Sequence, residues 1–506
     1  MEQKLVAVSV NQMGFEYDIH SLVKAFYPEC DVKVICAEEE KECSSPKSDD
    51  MEYSSSEGYP DLFIRFEKEE IYLSLASVGE EKNTSCFHCK KAEILSGMER
   101  TEIKNILKQL IYVSLSEHTG KQLPWGTLTG IRPTKIPMTL LEEGKSEEEI
   151  LSYMKDTYFV SDRKGLLSIE IAKREKELLS TLHYKDGYSL YIGIPFCPTT
   201  CLYCSFTSYP IVSWRKRMED YLSALEKEIE FTAEIYKDKI LDTVYIGGGT
   251  PTTLEAGELD RLIGALKSRL DFSHVKEFTV EAGRADSITK EKLEVLKKWG
   301  VTRISVNPQT MKEETLKLIG RQHTVEQVKE AFSLARETGF DNINMDLILG
   351  LPGEGEEDVA ATLAAVKELS PDSLTVHSLA IKRASRLNRW IEENGITALN
   401  NTDKTMDIAM EGAESLGMVP YYLYRQKNMS GNFENVGYAR EGKFGIYNIL
   451  IMEEKQTIVA CGAGTISKRV YPDGRIERCD NVKDVAQYIE RIEEMIERKK
   501  ELFGDS

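Results

Sequence analysis

The chain has 506 residues, of which 41% are hydrophobic, and a formal net charge of −19. This length exceeds what one hydrophobic core usually supports, so we expect two or three domains. The negative charge repels a phosphate backbone, so we expect no nucleic acid partner. The N-terminus shows no leader pattern, and no run of eighteen apolar residues occurs, so no membrane insertion is expected.

Ten cysteines are distributed unevenly along the chain. Five precede residue 90, three lie within 197–204, and two follow residue 460. A secreted disulfide framework is normally denser and occupies a shorter chain. The pattern therefore predicts a cytoplasmic protein in which the tight triplet is a metal site.

The first 182 residues are predicted to form an N-terminal α+β domain with a helical connector. Apolar runs typical of strands occur in KLVAVSV, DVKVICA and DLFIRFEKEEIYLSLA, the last as two strands around a turn. Helical spacing of apolar residues predicts helices at Asp18–Phe26 and Glu99–Glu117. The sequence between DVKVICA and DLFIRF is polar and is expected to be a loop.

From Tyr188 onward, short apolar runs alternate with amphipathic segments. The predicted strands are SLYIGIP, TVYIGGG, EFTVEAG, TRISVNP, NINMDLILG and SLTVHSL. The predicted helices lie near 214–238, 256–270, 287–299, 312–319, 325–338 and 355–369. Six such units predict an α/β fold, a partial (β/α)6 barrel, over residues 183–395.

Residues 396–506 are predicted to form a C-terminal α+β domain that serves as a lid or substrate domain. A helix is expected at Asp403–Leu416 and another at Val482–Leu502. Between them, the segments PYYLYR, GIYNILIME, TIVACGAGTI and KRVYP are predicted to be strands.

The cysteine triplet follows directly after the first predicted barrel strand. Cys197, Cys201 and Cys204 have the spacing CxxxCxxC and would lie at the edge where barrel active sites are built. Thiolates suit iron–sulfur clusters, and three ligands leave one iron of a four-iron cluster open. The alternatives are three buried cysteines or zinc ligands, but zinc normally takes a fourth ligand and separated CxxC pairs. We therefore predict an iron–sulfur cluster.

The sequence resembles the radical S-adenosylmethionine (SAM) superfamily and, within it, the oxygen-independent coproporphyrinogen III oxidase-like proteins. The resemblance runs from about Ser189 to Ser467 through YIGIPFCPTTCLYCSF, YIGGGTPT, TVEAG, RISVNPQT, LIGRQHT and NINMDLILGLPG. WGTLTGIRPTK, VHSLAIKRAS and YRQKNMSGNFENVGYA look similar to the branch called HemZ.

The resemblance implies two cofactors, a [4Fe-4S] cluster on the three cysteines and SAM chelated to its open iron. The residues it implies as SAM contacts are Tyr191, Tyr203, Gly248, Gly249, Thr250, Glu281, Gln309, Arg321, Asp346, Ala380 and Ile466. An arginine can bind a carboxylate through two hydrogen bonds, and carboxylates accept hydrogen bonds from paired hydroxyls. Each charged residue alone is more typical of a structural or solvated position, but together they lie at successive strand ends.

In the founding activity of this family, a 5′-deoxyadenosyl radical removes hydrogen from two propionates of coproporphyrinogen III. Loss of CO₂ and an electron then leaves vinyl groups, and the product is protoporphyrinogen IX. The established decarboxylases carry a further cysteine two residues after the triplet, where this chain has Phe206. This departure resembles the heme chaperone relatives. Three functions are therefore considered, in order of preference. They are a coproporphyrinogen-oxidising enzyme, a heme chaperone and a heme-degrading radical SAM methyltransferase.

A tetrapyrrole with four carboxylates requires cationic partners. The cationic residues considered for this role are Lys382, Arg383, Arg386, Arg425 and Lys427, and also Arg132 and Lys135, with surface roles as the alternative. His323 and His377 are considered as heme ligands or proton relays, against ordinary hydrogen bonding. The resemblance also implies a reduced flavodoxin or ferredoxin as electron donor.

Cys86 and Cys89 form a lone CxxC in the N-terminal segment. A redox pair or half of a zinc site is conceivable, but ordinary thiols are the favoured interpretation.

Overall fold

The structure is a computed structural model that describes residues 4–36, 55–56, 58–77, 85–94, 97–206, 208–381, 385–395, 399–426 and 433–504. Contacts divide the chain into two units. The first comprises Met1–Ile169 and Arg425–Phe433, and the second comprises Glu170–Tyr424 and Glu434–Ser506. The three-domain boundaries drawn from the sequence stay a prediction.

The first unit has a five-stranded sheet and several helices. Its strands are β1 (Leu5–Val10), β2 (Asp31–Cys36), β3 (Pro60–Phe66), β4 (Glu70–Ser77) and β5 (Ser85–Glu93). Its helices are α1 (Glu16–Phe26), α2 (Arg100–Thr119), α3 (Lys135–Glu142) and α4 (Glu147–Tyr158), and α5 (Asp162–Leu179) runs on into the second unit. The sheet order is β2-β1-β3-β4-β5, with β1 parallel to both of its neighbours. Ile19, Phe26 and Ile111 join the strands in one core. The side chains of Cys86 and Cys89 lie outside the described part of β5.

The second unit begins with strands and helices in alternation. These elements are β6 (Gly187–Ile194), β7 (Phe196–Cys197), β8 (Tyr209–Pro210), α6 (Ile211–Trp214), α7 (Met218–Ile235), β9 (Ile240–Gly248), α8 (Ala256–Arg269), β10 (Glu277–Gly283), α9 (Lys290–Lys298), β11 (Arg303–Val306), α10 (Glu313–Leu318), α11 (Val325–Glu337), β12 (Ile343–Leu349), α12 (Glu356–Leu369) and β13 (Ser373–Ser378). The remaining elements are α13 (Leu387–Asn394), α14 (Asp403–Glu414), β14 (Val419–Tyr424), β15 (Asn435–Ala439), α15 (Ile446–Glu453), β16 (Thr457–Cys461), β17 (Ile466–Val470), β18 (Ile476–Asp480), α16 (Val485–Glu490) and α17 (Ile492–Phe503).

An eleven-stranded sheet organises this unit, with the order β14-β15-β13-β12-β11-β10-β9-β6-β16-β17-β18. The six central strands from β6 to β13 are parallel neighbours, so the predicted α/β fold with a partial (β/α)6 barrel is confirmed. The C-terminal strands continue the sheet on both sides, because β15 pairs with β13 and β16 pairs with β6. The carboxyl ends of the six parallel strands therefore meet at one edge.

Helix starts in the barrel follow ordinary capping chemistry. At α11, the side chain of Thr324 accepts from the N–H of Gln327 at 3.2 Å, and the Gln327 side chain accepts from the N–H of Thr324 at 2.9 Å. This reciprocal capping box satisfies two backbone donors that a helix start leaves open.

One predicted strand is wrong: in the segment GIYNILIME, residues Ile446–Glu453 form helix α15. An apolar run of eight residues does not distinguish a buried strand from a buried helix by periodicity. The carboxylate of Glu277 stabilises the start of the helix, because it accepts hydrogen bonds from the N–H of Ile446 at 2.5 Å and from that of Tyr447 at 3.4 Å. The predicted terminal helix is also divided into α16 and α17, with Arg491 between them.

In the described part of the chain, no helix is long and apolar enough to cross a membrane.

A buried ion pair fixes the terminal helix α17 to α7. The side chains of Lys499 and Glu228 are both fully buried and in direct contact. Glu228 also accepts from the N–H of Gly462 at 2.7 Å, the Tyr488 hydroxyl at 2.6 Å and the Asn481 amide at 2.7 Å. These donors and the Lys499 cation compensate the Glu228 carboxylate for the hydration that it loses on burial.

We expect Lys499→Met to lower the free energy of unfolding by about 3–5 kcal/mol, because it leaves the Glu228 carboxylate buried without its cation. Urea denaturation followed by circular dichroism measures this change. The matched control is Lys500→Met, next along the same helix, whose exposed side chain lies 3.6 Å from Glu497. It should change stability by less than about 0.5 kcal/mol. Equal effects of the two variants would contradict the prediction.

Candidate functional site

The three cysteines lie on the loop that leaves strand β6 at the carboxyl edge of the sheet. We call residues Cys197–Cys204 the cysteine loop. All three cysteines are free thiols, with Cys201 buried and Cys197 and Cys204 half-buried. Cys197 belongs to the short strand β7, and the N–H of Leu202 donates to the carbonyl of Ile319 at 2.9 Å.

The glycine turn after β9 packs directly on the start of this loop. The N–H of Gly249 donates to the carbonyl of Ile194 at 2.8 Å, and the N–H of Thr250 donates to that of Phe196 at 2.7 Å. A Cβ at Gly249 would lie 2.5 Å from the Phe196 carbonyl oxygen, and Gly248 has a φ of +114°. Both positions therefore require glycine. The predicted Gly248, Gly249 and Thr250 thus adjoin the cysteine loop.

Burial raises the pKa of the Cys197 thiol, although the Thr250 hydroxyl, 3.5 Å from its sulfur, acts in the opposite direction. Burial likewise raises the pKa of Cys204. Thiols bind metals as thiolates, so a bound cation must supply the energy that releases these protons.

Arg321 is buried beside the cysteine loop. Its guanidinium donates to the carbonyl of Asn307 at 2.5 Å and to the Tyr203 hydroxyl at 3.3 Å, and it also lies close to Cys201. Tyr203 and Arg321 were both predicted from the sequence, and the structure brings them together.

Gln309 is buried in the left-handed region, with a φ of +72°. Its N–H donates to the carbonyl of Asp346 at 2.9 Å, and its own carbonyl accepts from the N–H of Ile348 at 2.9 Å. A non-glycine residue in this conformation is strained, and such strain occurs often at functional sites.

The central strands are almost entirely buried, but five of them each carry a half-buried aromatic or polar side chain in mid-strand or near the carboxyl end. These positions are Tyr191 on β6, Tyr245 on β9, Glu281 on β10, Asp346 on β12 and His377 on β13. Tyr191 and Tyr245 are direct neighbours in the register of β6 and β9. Together the five side chains form the polar interior of the barrel.

Aromatic rings line one part of this interior. The rings of Tyr191 and Tyr245 have centroids 6.0 Å apart, and Tyr447 of α15 stacks against them at 6.0 Å and 4.6 Å. The Tyr245 hydroxyl donates to the carboxylate of Glu281 at 2.5 Å. Stacked aromatic pairs add stabilisation beyond their buried area.

Two carboxyl groups in the remaining part of the interior interact electrostatically. Burial raises the pKa of Glu281 to about 7, with Tyr245 acting against this shift and Asp346 adding to it. Burial also acts to raise the pKa of Asp346, but His377 and Asn344 outweigh it and hold that pKa below its ordinary value. Two neighbouring carboxyls with separated pKa values can hold one proton between them.

His377 continues the polar interior toward β14. Its Nε2 lies 3.9 Å from the Asp346 carboxylate, and its Nδ1 lies 3.4 Å from the Tyr424 hydroxyl. His323, by contrast, has a fully buried side chain, with Nδ1 3.8 Å from Asp286.

Ala380 lies half-buried just beyond β13, and Ile466 begins β17 with 47% of its surface exposed. The structure places both near the ends of sheet strands, and their predicted contact with SAM stays a prediction. Phe206 is 75% exposed, two residues after the last cysteine.

Four of the seven cationic residues considered for substrate binding lie among the described residues. Lys382, Arg383 and Lys427 lie outside the described residues. Arg386 is exposed and donates to the carbonyl of Thr200. In the first unit, buried Arg425 donates to the carbonyl of Leu128 at 2.5 Å, Arg132 is half-buried, and Lys135 is exposed at the start of α3.

Three residues of the polar interior, Tyr245, Tyr424 and Tyr447, are not among those predicted from the sequence. Tyr245 could have been found, because aligning the predicted strands places it beside Tyr191. Tyr447 could not, because its segment was predicted to be a strand.

Comparison with known proteins agrees with this geometry. The family model described as the radical SAM superfamily matches residues 191–366. The oxygen-independent coproporphyrinogen-III oxidase-like protein HemZ of Bacillus subtilis is 44% identical over 403 residues, covering 79% of this chain and 80% of that protein. The heme chaperone HemW of Haemophilus influenzae is 30% identical over 320 residues, covering 62% of this chain and 78% of that protein.

A solved structure of the Escherichia coli coproporphyrinogen III oxidase HemN, described as a radical SAM enzyme, shares the fold. The TM-score is 0.50 at 24% identity, over 64% of this chain and 72% of that chain.

The chain therefore belongs to the radical SAM superfamily, in the family of oxygen-independent coproporphyrinogen III oxidase-like proteins. The cofactors of this family, and of this chain, are SAM and a [4Fe-4S] cluster.

The side chains at the carboxyl edge fit these cofactors. Gln309 Oε1 and Arg321 Nε are buried and have no hydrogen-bond partner among the described residues, so both remain available to a ligand. Cysteine thiolates are the ligands of iron–sulfur clusters, and all three cysteines of the loop are free.

We expect Tyr245→Phe to raise the pKa of Glu281 above its value of about 7, because the lost hydrogen bond stabilises the ionised carboxylate. Infrared titration of the protonated carboxyl band measures this pKa, and Glu281→Gln identifies the band by removing it. The control is Tyr471→Phe, which removes a hydroxyl that donates to Glu477 at 2.6 Å. An unchanged or lowered midpoint in Tyr245→Phe would refute the prediction.

Proposed function

We propose that Cys197, Cys201 and Cys204 hold the [4Fe-4S] cluster and that SAM binds beside it in the barrel interior. The observation that carries this proposal is the position of three free thiols on one loop, next to Arg321 and the Gly248–Thr250 turn. Arg321 is suited to the methionyl carboxylate, because a guanidinium and a carboxylate form charge-assisted hydrogen bonds.

The other SAM contacts follow the polar interior. Glu281 and Asp346 are suited to the ribose hydroxyls or the amine, Gln309 offers an unpaired amide oxygen, and Tyr191 offers an aromatic face. Tyr203, Ala380 and Ile466 complete the proposed set. When bound, the reduced cluster and SAM supply a 5′-deoxyadenosyl radical that abstracts hydrogen, and the protein aims this radical and excludes water.

The proposed reaction is the oxygen-independent oxidative decarboxylation of coproporphyrinogen III in the cytoplasm. Each of two propionates would give one hydrogen atom to the 5′-deoxyadenosyl radical and then lose CO₂ and one electron to an electron acceptor, which leaves a vinyl group. A reduced flavodoxin or ferredoxin would supply the electron for SAM cleavage. The oxidase-like name of the B. subtilis relative and the fold shared with HemN support this reaction.

A heme chaperone on the same scaffold is the second candidate. Its support is Phe206, at a position where the established decarboxylases resembled by this chain carry a cysteine, together with the HemW relative. The scaffold and the cysteine triplet are compatible with either function, so a test must measure turnover of the tetrapyrrole itself.

We expect the anaerobically reconstituted protein with dithionite and SAM to convert coproporphyrinogen III by two successive losses of CO₂ and two hydrogens. Mass spectrometry of the porphyrins and quantitation of 5′-deoxyadenosine measure the reaction. Cys201→Ala should abolish both products, because the cluster loses a ligand. Cys479→Ala, at a buried cysteine in β18, is the matched control and should retain both.

Release of 5′-deoxyadenosine with unchanged porphyrinogen would refute the decarboxylase and retain the radical SAM chemistry. Stable transfer of heme to an apoprotein, without any porphyrinogen turnover, would favour the chaperone.

We expect SAM affinity to increase as the pH rises from 6 to 8. The folded-state pKa of Glu281 is about 7, so the carboxyl is mostly neutral at pH 6 and ionised at pH 8, where it accepts hydrogen bonds more strongly. Glu281→Gln should bind SAM about 10-fold to 100-fold more weakly at pH 8 and show a flatter pH profile. Anaerobic equilibrium dialysis measures both quantities.

The matched control is Glu294→Gln on the exposed surface of α9, which should keep the wild-type affinity and profile. Wild-type affinity and pH dependence in Glu281→Gln would remove Glu281 from the SAM site.

A further inference from the structure

A buried guanidinium contacts the middle of the cysteine loop. Arg284, which is 3% exposed and directly follows β10, donates from Nη1 to the carbonyl oxygen of Thr199 at 3.1 Å and to its hydroxyl at 2.7 Å. Thr199 lies between Cys197 and Cys201. The guanidinium therefore binds the segment that separates two of the three cysteines.

A carboxylate fixes Arg284 in this position. Nε and Nη2 of Arg284 donate to the two oxygens of Asp286 at 2.9 Å and 2.6 Å, which is a bidentate pair. Arginine forms such planar pairs with defined geometry. The pair gives the guanidinium one orientation, with its remaining amino group directed to Thr199.

The same threonine continues the network to the next part of the site. Its hydroxyl donates to the carbonyl of Gly320 at 3.0 Å, and Gly320 immediately precedes Arg321. Arg284 thus connects the end of β10 to the cysteine loop and, through Thr199, to the segment that carries Arg321. Neither Arg284 nor Asp286 belongs to the proposed SAM contacts.

We propose that Arg284 is a positioning residue for the cluster, which holds the Cys197–Cys201 segment in place and raises the reduction potential of the cluster through its positive charge. This inference rests on the proposed function, in that Cys197, Cys201 and Cys204 must hold the cluster.

Electrostatics gives the sign of the effect. The guanidinium stays protonated in proteins, and its burial leaves its charge poorly screened. Cluster potentials depend on nearby charge and on hydrogen bonding around the ligands. A positive charge stabilises the reduced, more negative cluster, and the adjacent Asp286 carboxylate partly opposes this effect.

The two members of the ion pair should therefore shift the potential in opposite directions. Arg284→Gln leaves the carboxylate beside the loop, so the potential becomes more negative. Asp286→Asn leaves the guanidinium uncompensated, so the potential becomes more positive. General damage to the fold would not be expected to shift the reduction potential in opposite directions in these two variants.

The experiment is a redox titration of the reconstituted full-length protein, followed by the electron paramagnetic resonance signal of the reduced cluster. Iron and sulfide contents are measured in parallel for each variant. Arg284→Lys, which keeps a positive charge, should recover part of the shift caused by Arg284→Gln. The matched control is Arg261→Gln on α8, where the arginine pairs with Glu219 and Glu226, and its potential should equal that of the wild type.

Thr199→Val supplies an independent variant should Arg284→Gln fail to fold. It removes the hydroxyl bonded to Arg284 but keeps the backbone carbonyl, so we expect a smaller shift in the negative direction. Shifts of the same sign in Arg284→Gln and Asp286→Asn, or no shift in either, would overturn the inference while leaving the proposed function intact. If Arg284→Gln does not fold, the absence of a positive shift in Asp286→Asn or of a negative shift in Thr199→Val would overturn it. A wild-type protein that holds no reducible cluster would overturn both.

Discussion

The site depends on the backbone junction between the end of strand β6 and the Gly248–Thr250 turn. Two N–H groups of that turn donate to the carbonyls of Ile194 and Phe196, and the close approach is possible only because Gly249 lacks a side chain. The cysteine loop thus starts from a fixed point. Its second anchor is the hydrogen bond from Leu202 to Ile319, so the loop is held from both sides along the carboxyl edge of the sheet.

The polar interior of the barrel is assembled from residues far apart in the sequence. Tyr191 lies in the first barrel strand, whereas Tyr447, which stacks on it, lies in the helix capped by Glu277. Tyr424 reaches the same interior through His377. The C-terminal segment therefore completes the environment in which Glu281 has its raised pKa. A substitution of Tyr447 can therefore change the pKa of Glu281 on β10 by way of Tyr245, on which Tyr447 stacks.

The barrel was predictable because its strands and helices alternate with distinct periods, and EFTVEAG matches β10 residue for residue. The cysteine loop was predictable because its spacing is local. Tyr447 was not predictable as a site residue, because its apolar segment carries no period that separates helix from strand. The contact between Arg284 and Thr199 was likewise not predictable, since it is a hydrogen bond between residues 85 positions apart. Such contacts depend on tertiary packing, which no local pattern encodes.

The choice between oxidase and chaperone must depend on residues outside the cysteine loop and its supports. Arg321 and the glycine turn adjoin the cysteine loop, and the relatives of this chain include both an oxidase-like protein and a heme chaperone. Of the cations considered for propionate binding, Arg425 donates to the carbonyl of Leu128 and Arg386 to that of Thr200. A guanidinium that already binds a backbone carbonyl has fewer donors left for a carboxylate. His377 and Tyr424 are polar groups at the half-buried edge of the interior, outside the cysteine loop, and a difference between the two functions can arise there.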